Sequence, residues 1–425
     1  MLKVLVNAYA CSPDMGSEPG MGWNWCSHIA KHCELHIITE GEFRDRIEAV
    51  LPTLPQGQNM HFYYLPVTER VRKMCWNQGD WRFYYYYRQW QKWALEKARD
   101  ICQHHHIDII HQLNMVGFRE PGYLWSVSKE MNIPFVWGPV GGLKQFPITY
   151  ADGGSWKMKV FLRLKNRINI WQLKYGQRVN KAIRQSFLII SSIPDSYRAF
   201  QQYKGIESVI IPETGTFASS DLLLLEGRFQ KAHLTMIWVG KFDFRKRLDL
   251  AIRIVAYVKK KNIPVVLKVF GAGNEQQIAD AKELVQNLHT GTSIQFMGNC
   301  THERIVKEMQ IADLFLFTSV NEDTSTVVLE SISNRLPVLC FDTCGMSNVI
   351  TNHVGIKIPL TNPEQSVRDF AEKIIYLYHH RDLLTIMSEN CKQRAEELSW
   401  DNKSKQMVEL YKHELLQHTS SQEND

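Results

Sequence analysis

Short, unbroken apolar runs recur along the chain, each separated from the next by a longer stretch whose apolar positions repeat at helical spacing. Runs this short suit parallel strands buried on both faces, and the longer stretches suit the crossover helices that parallel strands require. In the first half, strands are expected at Lys3–Ala8, Glu34–Thr39, Ile107–His111, Ile133–Trp137 and Phe187–Ser192, with helices over Trp23–His32, from Trp81 onward and from Pro194. In the second half, strands are expected at Thr235–Val239, Val265–Phe270, Ile294–Met297, Leu314–Phe317 and Val338–Phe341, with a helix over Thr301–Ile311. The stretch Thr216–His233 shows no period and reads as a surface crossing between the two series, and a last helix is expected over Trp400–Gln417. This alternation predicts an α/β protein built on parallel sheets.

The stretch Asp313–Asp342 is the most informative. It reads as strand, loop, helix and strand, with Thr324 or Ser325 able to cap a helix running to Asn334 and Pro337 opening the next strand. In a βαβ unit the loop after the first strand lies at the carboxyl edge of the sheet, where open α/β folds take ligands, and the helix turns unpaired amides towards it. That is an anion site. Two carboxylates fall here, Glu322 and Glu330, with seven residues between them. Carboxylates accept hydrogen bonds from vicinal hydroxyls, so the pair suits a sugar and a ribose; a helix-start carboxylate beside a solvated helix glutamate gives the same pattern. Further on, Asn362, Pro363 and Gln365 supply a cap, a first-turn proline and a capping-box partner.

Glycines follow several strands. Gly16, Gly20 and Gly22 follow the first, Gly138, Gly141 and Gly142 follow Ile133–Trp137, and Gly240, Gly271 and Gly273 punctuate the second half. Such positions let a backbone approach a ligand closely, or simply turn before a helix. The first set lacks the G-x-G-x-x-G spacing of a dinucleotide site. Lys241, Lys246 and Arg247 precede a helix, a poor place for cations against the helix dipole unless an anion is bound there.

At 425 residues the chain has room for two ordinary domains, and 44% hydrophobic with 22% charged residues is an ordinary globular composition. No apolar run is long enough to cross a bilayer, and Met1–Ala10 fits a first strand better than a signal peptide, so a cytoplasmic protein is expected. The nine cysteines include no C-x-x-C pair and read as reduced, mostly buried thiols. His104, His105 and His106 suggest a metal, but a helix C-terminus accounts for them.

The net charge of +6 is unevenly spread. No acidic residue occurs from Gly153 to Pro194, where cations such as Lys157, Arg163 and Lys174 interleave with Trp156, Phe161 and Trp171. The segment 153–185 can lie on an anionic membrane surface, or be a solvated basic face; nothing in the chain resembles a base-reading module, so nucleic acid is not an expected partner. The aromatic stretch Val67–Gln103 reads mainly as core, with an acceptor-contacting or lipid-contacting surface as the alternative.

Ser319-x-x-Glu322, seven further residues and Glu330 resemble the signature of retaining GT-B glycosyltransferases of family four, and the order strand, G-x-G, helix, strand, helix, strand, S-x-x-E continues the resemblance over about 100 residues. The resemblance implies two Rossmann-like domains with parallel sheets facing a central cleft. It places an acceptor-side domain at 1–205, a linker at 206–232, a nucleotide-sugar domain at 233–399, a helix crossing back at 400–417 and a disordered tail at 418–425. Donor binding would fall to Gly240, Lys241, Lys246, Gly271, Gly273, Ser319, Glu322, Thr324, Ser325, Thr326 and Glu330, with Glu330 on the ribose, Glu322 on the sugar and both lysines on the diphosphate. Glu322, His111 and Lys246 would be catalytic, His111 matching a histidine that reaches the donor sugar. The glycines at 16, 20, 22, 138, 141 and 142 would line acceptor-side loops.

The activity implied is transfer of a sugar from a nucleotide-diphosphate sugar to a saccharide or lipid-linked acceptor with retention, in bacterial surface polysaccharide biosynthesis, at the inner face of the membrane. No cofactor is implied, and without a D-x-D motif no metal is expected. The sequence departs from the family at Lys241, where arginine is usual, and at Arg247 and Asp323, where glycine is usual. A GT-B nucleotide-sugar epimerase or a non-catalytic GT-B module would share the fold.

Overall fold

The computed structural model describes residues 1–77, 80, 82–152, 154–217 and 227–422. The chain divides into two units. The first comprises 1–143, 167–213 and the residues from Trp400 onward, and the second comprises Lys144–Asn166 and Thr214–Ser399.

The first unit holds seven strands: β1 Leu2–Ala8, β2 Cys33–Glu40, β3 Met60–Leu65, β4 Ile109–Asn114, β5 Phe135–Val140, β6 Ser186–Ser191 and β7 Val209–Ile210. They form one parallel sheet in the order β3-β2-β1-β4-β5-β6-β7. The second unit holds β8 Leu234–Val239, β9 Val265–Phe270, β10 Ile294–Gly298, β11 Leu314–Phe317, β12 Val338–Phe341 and β13 Gly355–Ile358. These are parallel in the order β10-β9-β8-β11-β12-β13. Strand β8, β11 and β12 residues are buried throughout, which is why the sequence shows unbroken apolar runs there. In each sheet the winding reverses once, between β1 and β4 and between β8 and β11, and open α/β sheets bind ligands at such reversals. Two doubly wound units of this kind make the GT-B fold.

Several expectations need correction. Strand β3 carries no clean apolar run, because four of its six residues are only half-buried at the sheet edge, so the sequence pattern does not predict it. Residues Val209 and Ile210, read as the passage between domains, pair with β6 as the sheet's seventh strand. The first helix begins at Ser17 rather than Trp23. The last helix runs from Trp400 to Gln422, so residues expected in a disordered tail continue it; 423–425 lie outside the described residues, as do Trp81, Gly153 and the linker stretch 218–226.

The stretch Lys144–Asn166 packs with the second unit, although the sequence placed it in the first domain. Its apolar side chains decide this. Phe146, Tyr150 and Ala151 are buried in the second unit's core. The Tyr150 ring packs edge-on against Phe341 at 5.5 Å, and its hydroxyl lies 2.6 Å from the Ser366 hydroxyl.

Candidate functional site

The loops following β8 and β11 meet at the carboxyl edge of the second sheet and are laced together. The Thr318 hydroxyl sits between the carbonyls of Lys246 and Arg247, at 2.8 and 2.9 Å, and accepts from the Trp238 indole at 3.1 Å. The Ser319 hydroxyl and the Val320 amide both donate to the Arg245 carbonyl, at 3.2 and 2.9 Å. This lacing fixes the path of Lys246, whose ammonium stands 5.1 Å from the centre of the Phe317 ring and pairs with the Glu322 carboxylate. Both side chains are largely enclosed, 14% and 12% exposed. The structure thus brings together two residues 76 positions apart in sequence that were assigned to one site.

Glu330 lies on the following helix, Thr326–Ser333, with its side chain 34% exposed and the His302 ring 3.4 Å away. Burial raises its pKa, and the nearby His302 works in the opposite direction. The Ser325 hydroxyl occupies the N-cap position without bonding to the helix amides. Thr324 packs against Gly345 so closely that a Cβ on that glycine would lie 2.4 Å from the threonine hydroxyl. Gly271, at φ +111°, is required for packing: a Cβ there would fall 2.0 Å from the Gly240 carbonyl oxygen. Gly273 likewise abuts Phe242.

The two basic departures have different fates. Lys241 is exposed on the loop after β8. Arg247 is 3% exposed and adopts the left-handed conformation, φ 53°, that glycine takes without strain. Its guanidinium makes a two-pronged contact with Asp249 at 2.8 Å on each prong, pairs with Asp152 at 2.8 Å and donates to the Tyr150 carbonyl at 2.7 Å. Burial disfavours its charge, but Asp249 and Asp152 more than compensate. Arg247 therefore clamps the stretch around Tyr150 to the second sheet and does not reach out to a ligand.

In the first unit, His111 is enclosed in the core with both ring nitrogens engaged. It is fully buried on β4, its Nε2 donates to the Gly138 carbonyl at 2.7 Å, and the Tyr411 hydroxyl reaches its Nδ1 at 2.6 Å. A carbonyl can only accept, so the proton is on Nε2 and Nδ1 is the acceptor. Burial lowers its pKa to about 4. In this structure the imidazole is a core hydrogen-bonding group, an arrangement at odds with the catalytic role expected of it.

The glycines after β1 are also placed differently from the expected loop. Gly16 caps the helix Ser17–Ile29, and Gly20 and Gly22 lie inside it. A Cβ on Gly22 would meet the Ala10 carbonyl at 2.2 Å, and one on Gly20 the Met15 carbonyl at 2.1 Å, so these residues let the helix pack onto the preceding turn. Gly138 lies within β5 at φ +140°, and Gly141 bridges to Gly117 in the turn beyond, with Gly142 at φ +74°.

Two clusters escaped the sequence. Glu120, 4% exposed, is held by Arg88 at 2.8 Å and Arg178 at 2.6 Å. Glu34, His36 and His61 converge across β2 and β3. Neither has a recognisable spacing, because strand pairing or long separation brings the members together.

Residues 226–396 match the family model described as Glycosyl transferases group 1. That is less than half of the chain, and it coincides with the sheet that carries Lys246, Glu322 and Glu330. An uncharacterized glycosyltransferase of Methanocaldococcus jannaschii is 24% identical over 178 residues, 42% of this chain and 44% of that protein. The D-inositol 3-phosphate glycosyltransferase of Corynebacterium urealyticum is 28% identical over 131 residues, 31% of this chain and 30% of that protein. The chain thus spans less than half the length of these relatives. Among solved structures, Alr3699/HepE of Anabaena in complex with UDP matches over 97% of this chain and 100% of its own, with a TM-score of 0.61 at 12% identity. The fold is that of the GT-B glycosyltransferases, and its second unit is similar to their group 1 domain.

Proposed function

We propose that the protein is a glycosyltransferase that moves a sugar from a nucleotide-diphosphate sugar to a saccharide or lipid-linked acceptor with retention of configuration. The observation that carries this reading is the Lys246–Glu322 pair at the reversal point of the second sheet, beside the uncapped helix start that leads to Glu330. The similarity to group 1 glycosyltransferases supports it, as does the fold shared with a protein solved with UDP.

In this reading the diphosphate takes Lys246, with Lys241 reaching in from the exposed loop and the amides of Thr324–Thr326 meeting the remaining phosphate oxygens. Glu330 accepts from the ribose hydroxyls. Glu322, relieved of its lysine, accepts from hydroxyls of the sugar, so the resting ion pair neutralises two groups that the donor later separates. Retention follows from front-face attack, in which the acceptor oxygen bonds to the anomeric carbon as the bond to the leaving phosphate breaks and that phosphate takes the acceptor's proton. No protein nucleophile is needed, and the protein contributes positioning and charge stabilisation without a metal. Ser319 acts through its loop bond to Arg245. The turn Gly138–Gly142 is the acceptor-side candidate in the first unit.

The acceptor is lipid-linked in the form of this proposal that the surface favours. On the helix Trp156–Tyr175, Trp156, Val160, Phe161, Leu164, Ile168, Trp171 and Tyr175 are all exposed, between 42% and 71%. They fall within an arc of about 140° at 100° per residue. Asn169 and Leu173 are buried on the opposite side, so the exposed arc is not the packing face. With no carboxylate on the helix, Lys157, Arg167 and Lys174 set among the apolar side chains of the arc and Arg163 at its edge, the complementary surface is an anionic bilayer at the cytoplasmic face.

The test is incubation with a panel of nucleotide sugars and lipid-linked acceptors, followed by NMR of the product's anomeric proton. Transfer with retention is expected. Epimerised or unchanged donor in the absence of any transfer would favour an epimerase or a non-catalytic module.

A further inference from the structure

The first unit carries a group of side chains that the proposed transfer reaction does not use. Glu34 and His36 stand two residues apart on β2, hence on one face of the sheet, and His61 is the register partner of His36 on β3. They lie near the amino ends of these strands, the edge opposite the loops that follow β1 and β4. Their ligand atoms lie within 4.8 Å of one another, and this is the group of that kind among the described residues.

The geometry points to a binding site for a divalent first-row transition ion of the zinc type, held by Glu34, His36 and His61. Glu34 Oε1 is 3.6 Å from His36 Nε2 and 3.4 Å from His61 Nε2. These separations exceed a hydrogen bond, yet two ligands bonded at 2.0–2.1 Å to a tetrahedral ion stand about 3.3 Å apart. The other carboxylate oxygen is taken by Lys3 at 3.3 Å, which leaves Oε1 directed at the two rings.

A second observation is independent of the spacing. His36 is 2% exposed, and its Nε2 has no hydrogen-bond partner, whereas its Nδ1 lies 3.0 Å from the Tyr63 hydroxyl. A buried imidazole nitrogen left without a partner is costly unless something occupies its lone pair. With Nδ1–H donated to Tyr63, that lone pair is on Nε2 and aimed into the group, the arrangement in which an outer hydrogen bond fixes the tautomer of a metal-binding histidine. His61 is 45% exposed, and solvent reaches the group from that side to supply a fourth ligand.

The ion would tie the edge strand β3 to β2. Binding to the folded state alone stabilises it in proportion to the logarithm of free metal. The experiment uses the full chain freed of metal, with Zn2+ titrated against a chromophoric chelator, Co2+ as a spectroscopic probe and hydrogen exchange of β3 amides as readout. His61→Ala is the primary variant because its ring is half exposed and its loss spares the core; Glu34→Gln is the second. The expected result is one equivalent of Zn2+, tetrahedral Co2+ bands, slower exchange in β3, and binding at least tenfold weaker in both variants, with unchanged circular dichroism. Absence of stoichiometric binding, or equal binding in the wild type and both variants, as the His104–His106 run would produce, overturns the assignment.

Discussion

The Lys246 ammonium and the Glu322 carboxylate hold one another at the carboxyl edge of the second sheet, each mostly shielded from water. A diphosphate entering this site must compete with Glu322 for the lysine. Glu322→Gln is therefore expected to bind a bare nucleoside diphosphate a few-fold more tightly, on the order of 1 kcal/mol, while sugar transfer falls by about 10²–10³. Lys246→Ala should weaken the diphosphate by about 1.5–3 kcal/mol. Calorimetry with both variants checks this, and weaker diphosphate binding in Glu322→Gln would contradict the proposed exchange of partners.

Arg247 occupies a left-handed position that favours glycine, which makes Arg247→Gly informative. Relief of backbone strain would stabilise by about 1 kcal/mol. Against this stands the loss of buried contacts to Asp249, Asp152 and the Tyr150 carbonyl, where charge-assisted bonds contribute about 1.5–3 kcal/mol each. The variant should unfold at lower urea, and protease should cut first in Lys144–Asn166. An unchanged urea midpoint would mean that the clamp contributes nothing.

His111 predicts an acid dependence of stability. Its pKa falls from an ordinary 6.5 to about 4 on folding. Between those values the unfolded chain binds the extra proton and the folded chain does not, so stability is lost as the pH drops from 6.5 towards 4. The shift corresponds to roughly 3 kcal/mol across that window. His111→Gln should flatten the pH dependence of the urea midpoint over this range, whatever it costs at pH 7; a slope as steep as that of the wild type would show that His111 is not the titrating group.

The exposed arc of Trp156–Tyr175 predicts binding to vesicles rich in anionic lipid and release by salt, since surface cations are screened within about 10 Å at 0.1 M. Trp171→Ala combined with Phe161→Ala should reduce co-sedimentation severalfold without changing donor binding in solution. Equal binding to neutral and anionic vesicles would remove the charge argument.

The second sheet was legible because its central strands β8, β11 and β12 are buried throughout and its caps are local signals. Asn362 accepts from the Gln365 amide as its spacing suggests, although the Gln365 side chain turns to Asp369 instead of closing the capping box. The Glu322 and Glu330 spacing points to the candidate site because both stand on one βαβ unit. What could not be read were relations set by tertiary packing. Gly20 and Gly22 look like loop residues until the Met15 and Ala10 carbonyls are seen beside them, and His111 looks available until Tyr411, 300 residues on, closes its second nitrogen. The edge strand β3 and the Lys144–Asn166 excursion were missed for the same reason, since mixed polarity conceals which sheet a segment joins.

The most direct test is thermal unfolding with a panel of nucleoside diphosphates and their sugars, with and without chelator, on wild type and Glu330→Ala. At one to ten times its dissociation constant a ligand stabilises by about 0.4–1.4 kcal/mol. The account predicts a rise of that size with one nucleotide base, the same increment in chelator once its own baseline is subtracted, and loss of the rise in Glu330→Ala. No shift with any nucleotide, or an equal shift in the variant, would contradict a donor site built on Lys246, Glu322 and Glu330.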